Sequence, residues 1–430
     1  MKFSRGRWLL LGLWAAVRLG AAAPDDSSAP RMLAPAEMKA NLDDLMATFD
    51  EVHPNLYFKV SRQKLMEERR QLESELNRPL TVVQFFNLLE PFVASFADGH
   101  TGISAPRGVH PARKGGSGPS KPHYNWHFEI LPGGTGYLDF VNMDSPLRSE
   151  WQKFLQATFR AIQEKRLTGL IIDLRNNGGG DSQLGDDLLD YLTDKPYRQA
   201  SRKEWKFSPR YLTSPAFDQF LAEAQSAAAE LKDQPEPTPD EKAFFVLNPN
   251  PSPAIKKRIL EQGSPALKAR LAKVAPHWLD PDYSPATARA TLVWNFDKLR
   301  TPPNPYPLRF HGCLCFLISH RTFSSAIMLG NTVQDFKLAA LIGEETPPCN
   351  EFGEVYSFEL PHSGIRARVP SAQFVRANGD AKDPHGIIPD IAVAQTQADS
   401  DKGVDTVLET AKGWIAGCQR SRAPASADLR

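Results

Sequence analysis

Cys313-Leu314-Cys315-Phe316-Leu317-Ile318-Ser319-His320-Arg321-Thr322-Phe323-Ser324-Ser325-Ala326-Ile327 is the stretch whose reading decides the fold. Six apolar residues run up to Ser319 and stop at turn-forming residues, which predicts a buried strand. The small and apolar residues from Ala326 to Val333 predict a helix. Strand, tight turn and helix together can hold a serine hydroxyl at a sheet edge. The N–H of the next residue, at the helix N-terminus, then faces any oxyanion that develops there. Alone, Ser-Ser before a helix reads first as an N-cap, so other segments must decide.

A second unit of the same kind lies upstream. Gly169-Leu170-Ile171-Ile172-Asp173-Leu174 reads as a strand buried on both faces. It runs into Arg175-Asn176-Asn177-Gly178-Gly179-Gly180-Asp181, and a helix is predicted over Leu184–Leu192. Strand, Gly loop and helix make an α/β unit. Before it, Trp126–Leu131 and Gly136–Val141 read as strands around Pro132-Gly133-Gly134, followed by a helix over Ser149–Lys165. After the opening stretch, Leu341-Ile342-Gly343 is a short strand. Val355–Leu360 and Arg366–Val369 form a hairpin around His362-Ser363-Gly364, and a last helix spans Asp401–Trp414.

Residues 36–105 read as a helical subdomain. Met38, Leu42, Leu45, Met46, Phe49 and Val52 recur at helical spacing, and Thr81 can cap a helix from Val82 to Phe96 that Pro91 is expected to kink or split. His53-Pro54-Asn55-Leu56-Tyr57 is a turn, and Asp98-Gly99-His100-Thr101 closes the helical region. The α/β core then occupies 106–212 and 307–415. Residues 213–306, rich in Pro, Ala and charge, read as an insertion, possible as a helical lid or as simple packing. Residues 24–35 and 416–430 are expected to be disordered.

The 430-residue chain has 51 basic and 50 acidic side chains and a formal net charge of +1. That balance gives no electrostatic case for nucleic acid or an anionic membrane as partner. Residues 1–23 have a basic start, a short apolar segment from Trp8 to Val17 and small residues at Ala21–Ala23, the layout of a signal peptide. The apolar segment is too short to span a bilayer. An exported soluble protein of the bacterial periplasm is the expectation, with no membrane insertion after cleavage. Of the four cysteines, Cys313, Cys315, Cys349 and Cys418, the first two share a face of one strand and cannot readily bridge each other. No CxxC or HExxH spacing supports a metal, and nothing in the sequence calls for an organic cofactor.

A serine nucleophile needs a base, a group that orients the base, and oxyanion donors. His100, Asp383 and the Gly178–Gly179 loop are candidates. Asp173 to Gly180 resembles the Gly motif of the tail-specific, or C-terminal processing, serine peptidases. Thr322-Phe323-Ser324-Ser325-Ala326 resembles their nucleophile motif, and Leu341 to Thr346 the strand and loop after it. Asp98-Gly99-His100-Thr101 and Gly386-Ile387-Ile388-Pro389-Asp390 resemble their early His and late Gly motifs, all in family order. The resemblance covers roughly 36–195 and 307–415. It implies an α/β (α+β) fold with a tricorn-core or ClpP-crotonase-like sheet and flanking helices.

By that resemblance Ser324 is the nucleophile, and the N–H of Ser325 with that of Gly178 or Gly179 forms the oxyanion hole. Where one branch carries a dyad lysine about 25 positions after the serine, this chain has Cys349. The tricorn-like branch, with its histidine base and late acid, is the better match: His100 takes the first role and Asp383 the second. Gly99 stands where that branch has a serine, Ile327 replaces a frequent acidic residue, and no PDZ domain is visible between 105 and 135. The implied function is a secreted serine peptidase acting on peptides or proteins, either an endopeptidase or one directed at the carboxyl end. A non-catalytic binder on the same fold and an esterase with the same triad stay open, as do Ser325 as nucleophile and His320 as base. Oligomeric state is not readable.

Overall fold

The computed structural model describes residues 31–106, 124–206, 253–274, 291–295, 299–348, 351–380 and 386–422, with a few single positions between 210 and 279. Strand β1 (Met32–Leu33) leads into helix α1 (Pro35–Val52), followed by α2 (Arg62–Glu75), β2 (Leu80–Thr81) and α3 (Val82–Ala94). The apolar stripe of α1 is buried as its spacing requires, with Met38, Leu42, Leu45, Phe49 and Val52 all at 0% exposure. Thr81 and Gln84 form a reciprocal capping box at the start of α3. Two expectations are corrected here. Helix α3 is not split at Pro91: only three helical residues follow it, so the missing N–H removes one bond near an end where bonds already run out. Residues 31–35 are ordered, because Met32 and Leu33 pair antiparallel with Thr81 and Leu80 and Leu33 is fully buried.

Next come β3 (Gly102–Ser104), β4 (Trp126–Leu131), β5 (Thr135–Phe140), α4 (Arg148–Glu164), β6 (Gly169–Asp173), α5 (Gln183–Leu189) and β7 (Ala200–Lys206). Helices α6 (Pro253–Gln262) and α7 (Pro265–Val274) and strand β8 (Thr291–Asn295) precede β9 (Cys313–Ile318) and helix α8 (Ser325–Asp335). The chain then forms β10 (Ala340–Gly343), β11 (Phe352–Glu359), β12 (Arg366–Arg376), β13 (Ile391–Ala392) and helix α9 (Thr406–Arg422).

One sheet has the order β13-β10-β9-β6-β5-β4, parallel except for the β4–β5 hairpin. All six side chains of β9 are buried, as a strand covered on both faces demands. Leu170, Ile172, Leu314, Phe316 and Ile318 pack with α4, α5 and α8, while Ile171, Cys313, Cys315 and Leu317 pack with Val407, Ala411 and Ile415 of α9. The second sheet, β11-β12-β7-β8, is antiparallel, with β3 paired to β12. It rests Ala367, Val369 and Ala372 against the N-terminal helices. Part of the 213–306 segment is therefore not helical: β8 extends this sheet by pairing with β7.

The expected disordered tail is also corrected, since α9 runs on to Arg422. Cys418 bridges to Cys313 across a sequence separation of 105, Gln419 bonds Thr168, and Arg422 donates to the carbonyl of His311. Residues 1–23, Cys349 and Asp383 lie outside the described residues. Among those described, no helix is long and apolar enough to cross a membrane.

Candidate active site

Strands β6 and β9 are parallel neighbours, so the loops at their carboxyl ends meet, as such loops do in open α/β sheets. Side chains and backbone lace the two together. Thr322 Oγ donates to the Leu174 carbonyl at 2.9 Å, and Ser319 Oγ to that of Arg175 at 2.8 Å. The Phe323 N–H donates to the Asn177 carbonyl at 3.0 Å. Asn177 is fully buried and donates through Nδ2 to the Phe140 carbonyl at 2.7 Å, which ties the Gly loop to β5 as well.

This frame holds Ser324 at φ 54°, ψ −126°. A non-glycine residue at positive φ carries backbone strain of about 1–3 kcal/mol and persists only where the surroundings impose it. An ordinary N-cap has extended backbone angles and a side chain that accepts from the first turn. Ser324 has neither, and its hydroxyl makes no cap bond. Instead its Oγ lies 3.1 Å from His100 Nε2. Gly179 explains how the turn fits: a Cβ there would stand 2.6 Å from Ser324 Cβ and 2.7 Å from the Ser325 nitrogen, and φ is +85°. The hydroxyl of Ser325 is committed elsewhere, donating to the Gly180 carbonyl at 2.5 Å.

The N–H of Gly179 donates to Asn177 Oδ1 at 2.9 Å. Among the described residues nothing accepts from the N–H of Gly178 or of Ser325. Ser325 is the first residue of α8, where such orphan donors collect.

His100 comes from the corner between α3 and β3, far upstream. Its ring is buried and lies against Phe323, with centroids 4.6 Å apart and the planes tilted by 30°. Burial pushes its pKa down to about 4; the anionic Asp98 works against that shift and the cationic Arg368 adds to it. The imidazole is therefore neutral at neutral pH and can accept a proton. Its Nδ1 is buried and has no partner among the described residues.

The Asp98 side chain is itself nearly closed to solvent. It accepts from the His100 N–H at 3.1 Å and from Thr101 Oγ at 2.6 Å, and lies 3.4 Å from His53 Nε2. Burial opposes its ionisation, but these contacts outweigh it and hold the carboxyl below its ordinary pKa. Arg368, opposite Gly102 in the β12–β3 pairing, reaches the Gly99 carbonyl at 3.4 Å. His53, Asp98 as a side chain, and Arg368 were not singled out from the sequence. Asp98 had a readable signal, since an Asp two residues before another commonly bonds that residue's N–H; His53 and Arg368 had none.

His320, the alternative base, is turned outward: 68% of its side chain is exposed and its Nδ1 lies 3.1 Å from Glu344. Among the described residues no group of three or more His, Cys, Asp or Glu could hold a metal. Cys315, the free cysteine among them, is buried on the α9 face of β9, where burial raises its thiol pKa.

Solved structures share the fold at low identity. Mature CPAF matches with a TM-score of 0.55 at 13% identity, over 90% of this chain and 99% of that one. Mature CPAF complexed with lactacystin matches with 0.54 at 14%, over 90% and 100%. The photosystem II D1 C-terminal processing protease aligns over 90% and 99% at 12% identity, with a TM-score of 0.38. The pattern described as Peptidase family S41 matches residues 134–393, more than half of the 430 residues. The chain belongs to peptidase family S41 and is a serine peptidase.

Proposed function

We propose that this peptidase is exported and cleaves peptide bonds with Ser324 as nucleophile, His100 as general base and Asp383 as the acid that orients His100. The observation that carries the reading is the 3.1 Å contact between Ser324 Oγ and His100 Nε2. That distance is within reach for direct proton transfer. With Nε2 accepting from the serine, the proton of the neutral ring sits on buried Nδ1, which calls for an acceptor. Asp383, placed by the order of motifs, is assigned that role and stabilises the imidazolium once it forms.

Attack by Ser324 Oγ on the scissile carbonyl builds negative charge on the carbonyl oxygen. The N–H groups of Gly178 and Ser325 are assigned to it, each contributing about 3 kcal/mol of transition-state stabilisation. Gly179 contributes through its missing side chain, which allows the Gly loop to close on the nucleophile turn. His100 then passes its proton to the leaving amine, and water repeats the sequence on the acyl-enzyme. Export is supported by the layout of residues 1–23 and by the Cys313–Cys418 disulfide, a bond that persists in oxidising compartments.

The test is labelling by a fluorophosphonate probe together with digestion of a peptide library. Wild type is expected to label and to cleave peptides, while Ser324→Ala and His100→Ala lose both. Labelling that survives in Ser324→Ala but is lost in Ser325→Ala would move the nucleophile by one residue. Turnover of esters without any peptide cleavage would make the protein an esterase.

A further inference from the structure

Two residues before His100 is a second carboxylate, bonded to the His100 backbone, that the mechanism above does not use. Asp98 takes the His100 N–H on Oδ1 at 3.1 Å and Thr101 Oγ on Oδ2 at 2.6 Å. The same Oδ2 lies 3.4 Å from His53 Nε2, and both side chains of that pair are nearly closed to solvent, 2% and 4% exposed. His53 is oriented in turn. Its Nδ1 accepts from the Asn55 N–H at 3.1 Å, so in the neutral ring the proton is on Nε2 and points to Asp98. Its ring packs against Phe352 at 4.4 Å.

A buried charge with satisfied oxygens is costly to build and is felt strongly by its neighbours, because little water screens it. The turn His53-Pro54-Asn55 and the corner Asp98-Gly99-His100-Thr101 thus form one unit that ends on the base. We propose that Asp98 is a positioning residue for His100: held ionised by Thr101 and His53, it fixes the His100 backbone against Ser324 and stabilises the imidazolium electrostatically. The role is distinct from that of Asp383, since Asp98 bonds the backbone of His100 and not its Nδ1.

The groups facing this unit are few. On the His100 side they are Ser324 Oγ and the Arg368 guanidinium, whose charge opposes that of Asp98 at the ring. Glu351 is buried and paired with Lys59 at 3.0 Å; burial, with the charge of Asp98 adding to it, pushes the Glu351 carboxyl above its ordinary pKa. Removing the charge of Asp98 should therefore lower the His100 pKa further and weaken the base.

The proposal rests on the serine-peptidase reading, and one experiment separates the two. The rate of fluorophosphonate inactivation is measured against pH for wild type, Ser324→Ala and Asp98→Asn. Asp98→Asn is expected to lower the limiting rate by about 10- to 100-fold, by analogy with the loss of outer partners that orient metal-ligating histidines, with the half-saturating probe concentration unchanged. Its acid limb moves to lower pH. A merely structural role would leave that limb in place, so an unmoved limb or a wild-type rate overturns the proposal. If Asp98→Asn loses its cooperative melt, Thr101→Val replaces it. That variant keeps the carboxylate but removes a donor that holds it ionised, so its acid limb moves to lower pH as in Asp98→Asn, by a smaller amount; an unmoved limb again overturns the proposal. Labelling retained in Ser324→Ala would instead overturn the serine-peptidase reading, and the role given to Asp98 with it.

Discussion

Gly179→Ala is the substitution on which the geometry of this site is most exposed to test. The added methyl would lie 2.6 Å from Ser324 Cβ, 2.7 Å from the Phe323 carbonyl oxygen and 2.7 Å from the Ser325 nitrogen. Ordinary contact begins at 3.4 Å, so the Ser324 turn must retreat by about 0.8 Å. Two of the three atoms it meets are backbone, pinned to the Gly loop by the Phe323–Asn177 and Thr322–Leu174 bonds, and cannot rotate aside. Displacement by about 1 Å costs a catalytic constellation on the order of 100-fold, close to 3 kcal/mol in the barrier. The φ of +85° adds about 1–3 kcal/mol of backbone strain in the folded state. The inactivation rate with a fluorophosphonate should fall about 100-fold, with a lower Tm. Gly364→Ala is the control. It has φ +65° but nothing closer than Pro106 Cβ at 3.9 Å, so it should lose stability alone. A folded Gly179→Ala that labels within about threefold of wild type would refute the argument that Gly179 sets the approach of the two loops.

The buried His100 makes stability depend on pH. Its pKa is about 4 in the folded chain against 6.5 ordinarily, so between those values the unfolded chain binds more protons, and stability falls as pH drops from 6.5 to 4. The loss from this residue is about 3 kcal/mol, and urea titrations of His100→Asn should show a correspondingly flatter profile. Arg368→Ala removes the cation that lowers the His100 pKa, so the acid limb of the inactivation rate should move to higher pH, opposite to Asp98→Asn; a shift to lower pH would contradict the arrangement. Reduction of Cys313–Cys418 opens a link across a separation of 105 residues and should cost about 2–4 kcal/mol. Cys418→Ala should match the reduced protein and be indifferent to reductant.

Strands β6 and β9 were legible because each is buried on both faces, so the apolar run is continuous and ends where the turn begins. The segments misread were those ordered by distant partners. Residues 31–35 and 416–422 are locally polar or irregular, and what fixes them is Thr81 for the first and Cys313 and His311 for the second. Periodicity in a short window contains no information about either. Strand β8 had a local signal in Thr291-Leu292-Val293-Trp294 that its Pro- and charge-rich surroundings obscured, and its pairing with β7 some 90 positions upstream is what places it in the sheet.

The site divides along the same line. Ser324 and the Gly loop are local motifs, and their residue types already carry the chemistry: a hydroxyl at a helix start, and positions that tolerate no Cβ. What separates a nucleophile from an N-cap is not local. Ser-Ser before an apolar helix specifies the cap equally well, and only the imposed φ of 54° and the His100 contact reject it. Both follow from two loops meeting at adjacent parallel strands and from a corner supplied by a different sheet. The protonation of His100 is less local still, because burial, Asp98 and Arg368 set it together and come from α3, β3 and β12 converging. Residue type therefore gives the reaction, while the strength of the base is a property of the assembled fold. A variant that leaves Ser324 and His100 untouched can change the rate by altering charge at Asp98 or Arg368, and the opposite signs expected for the two make the electrostatic account separable from simple loss of packing.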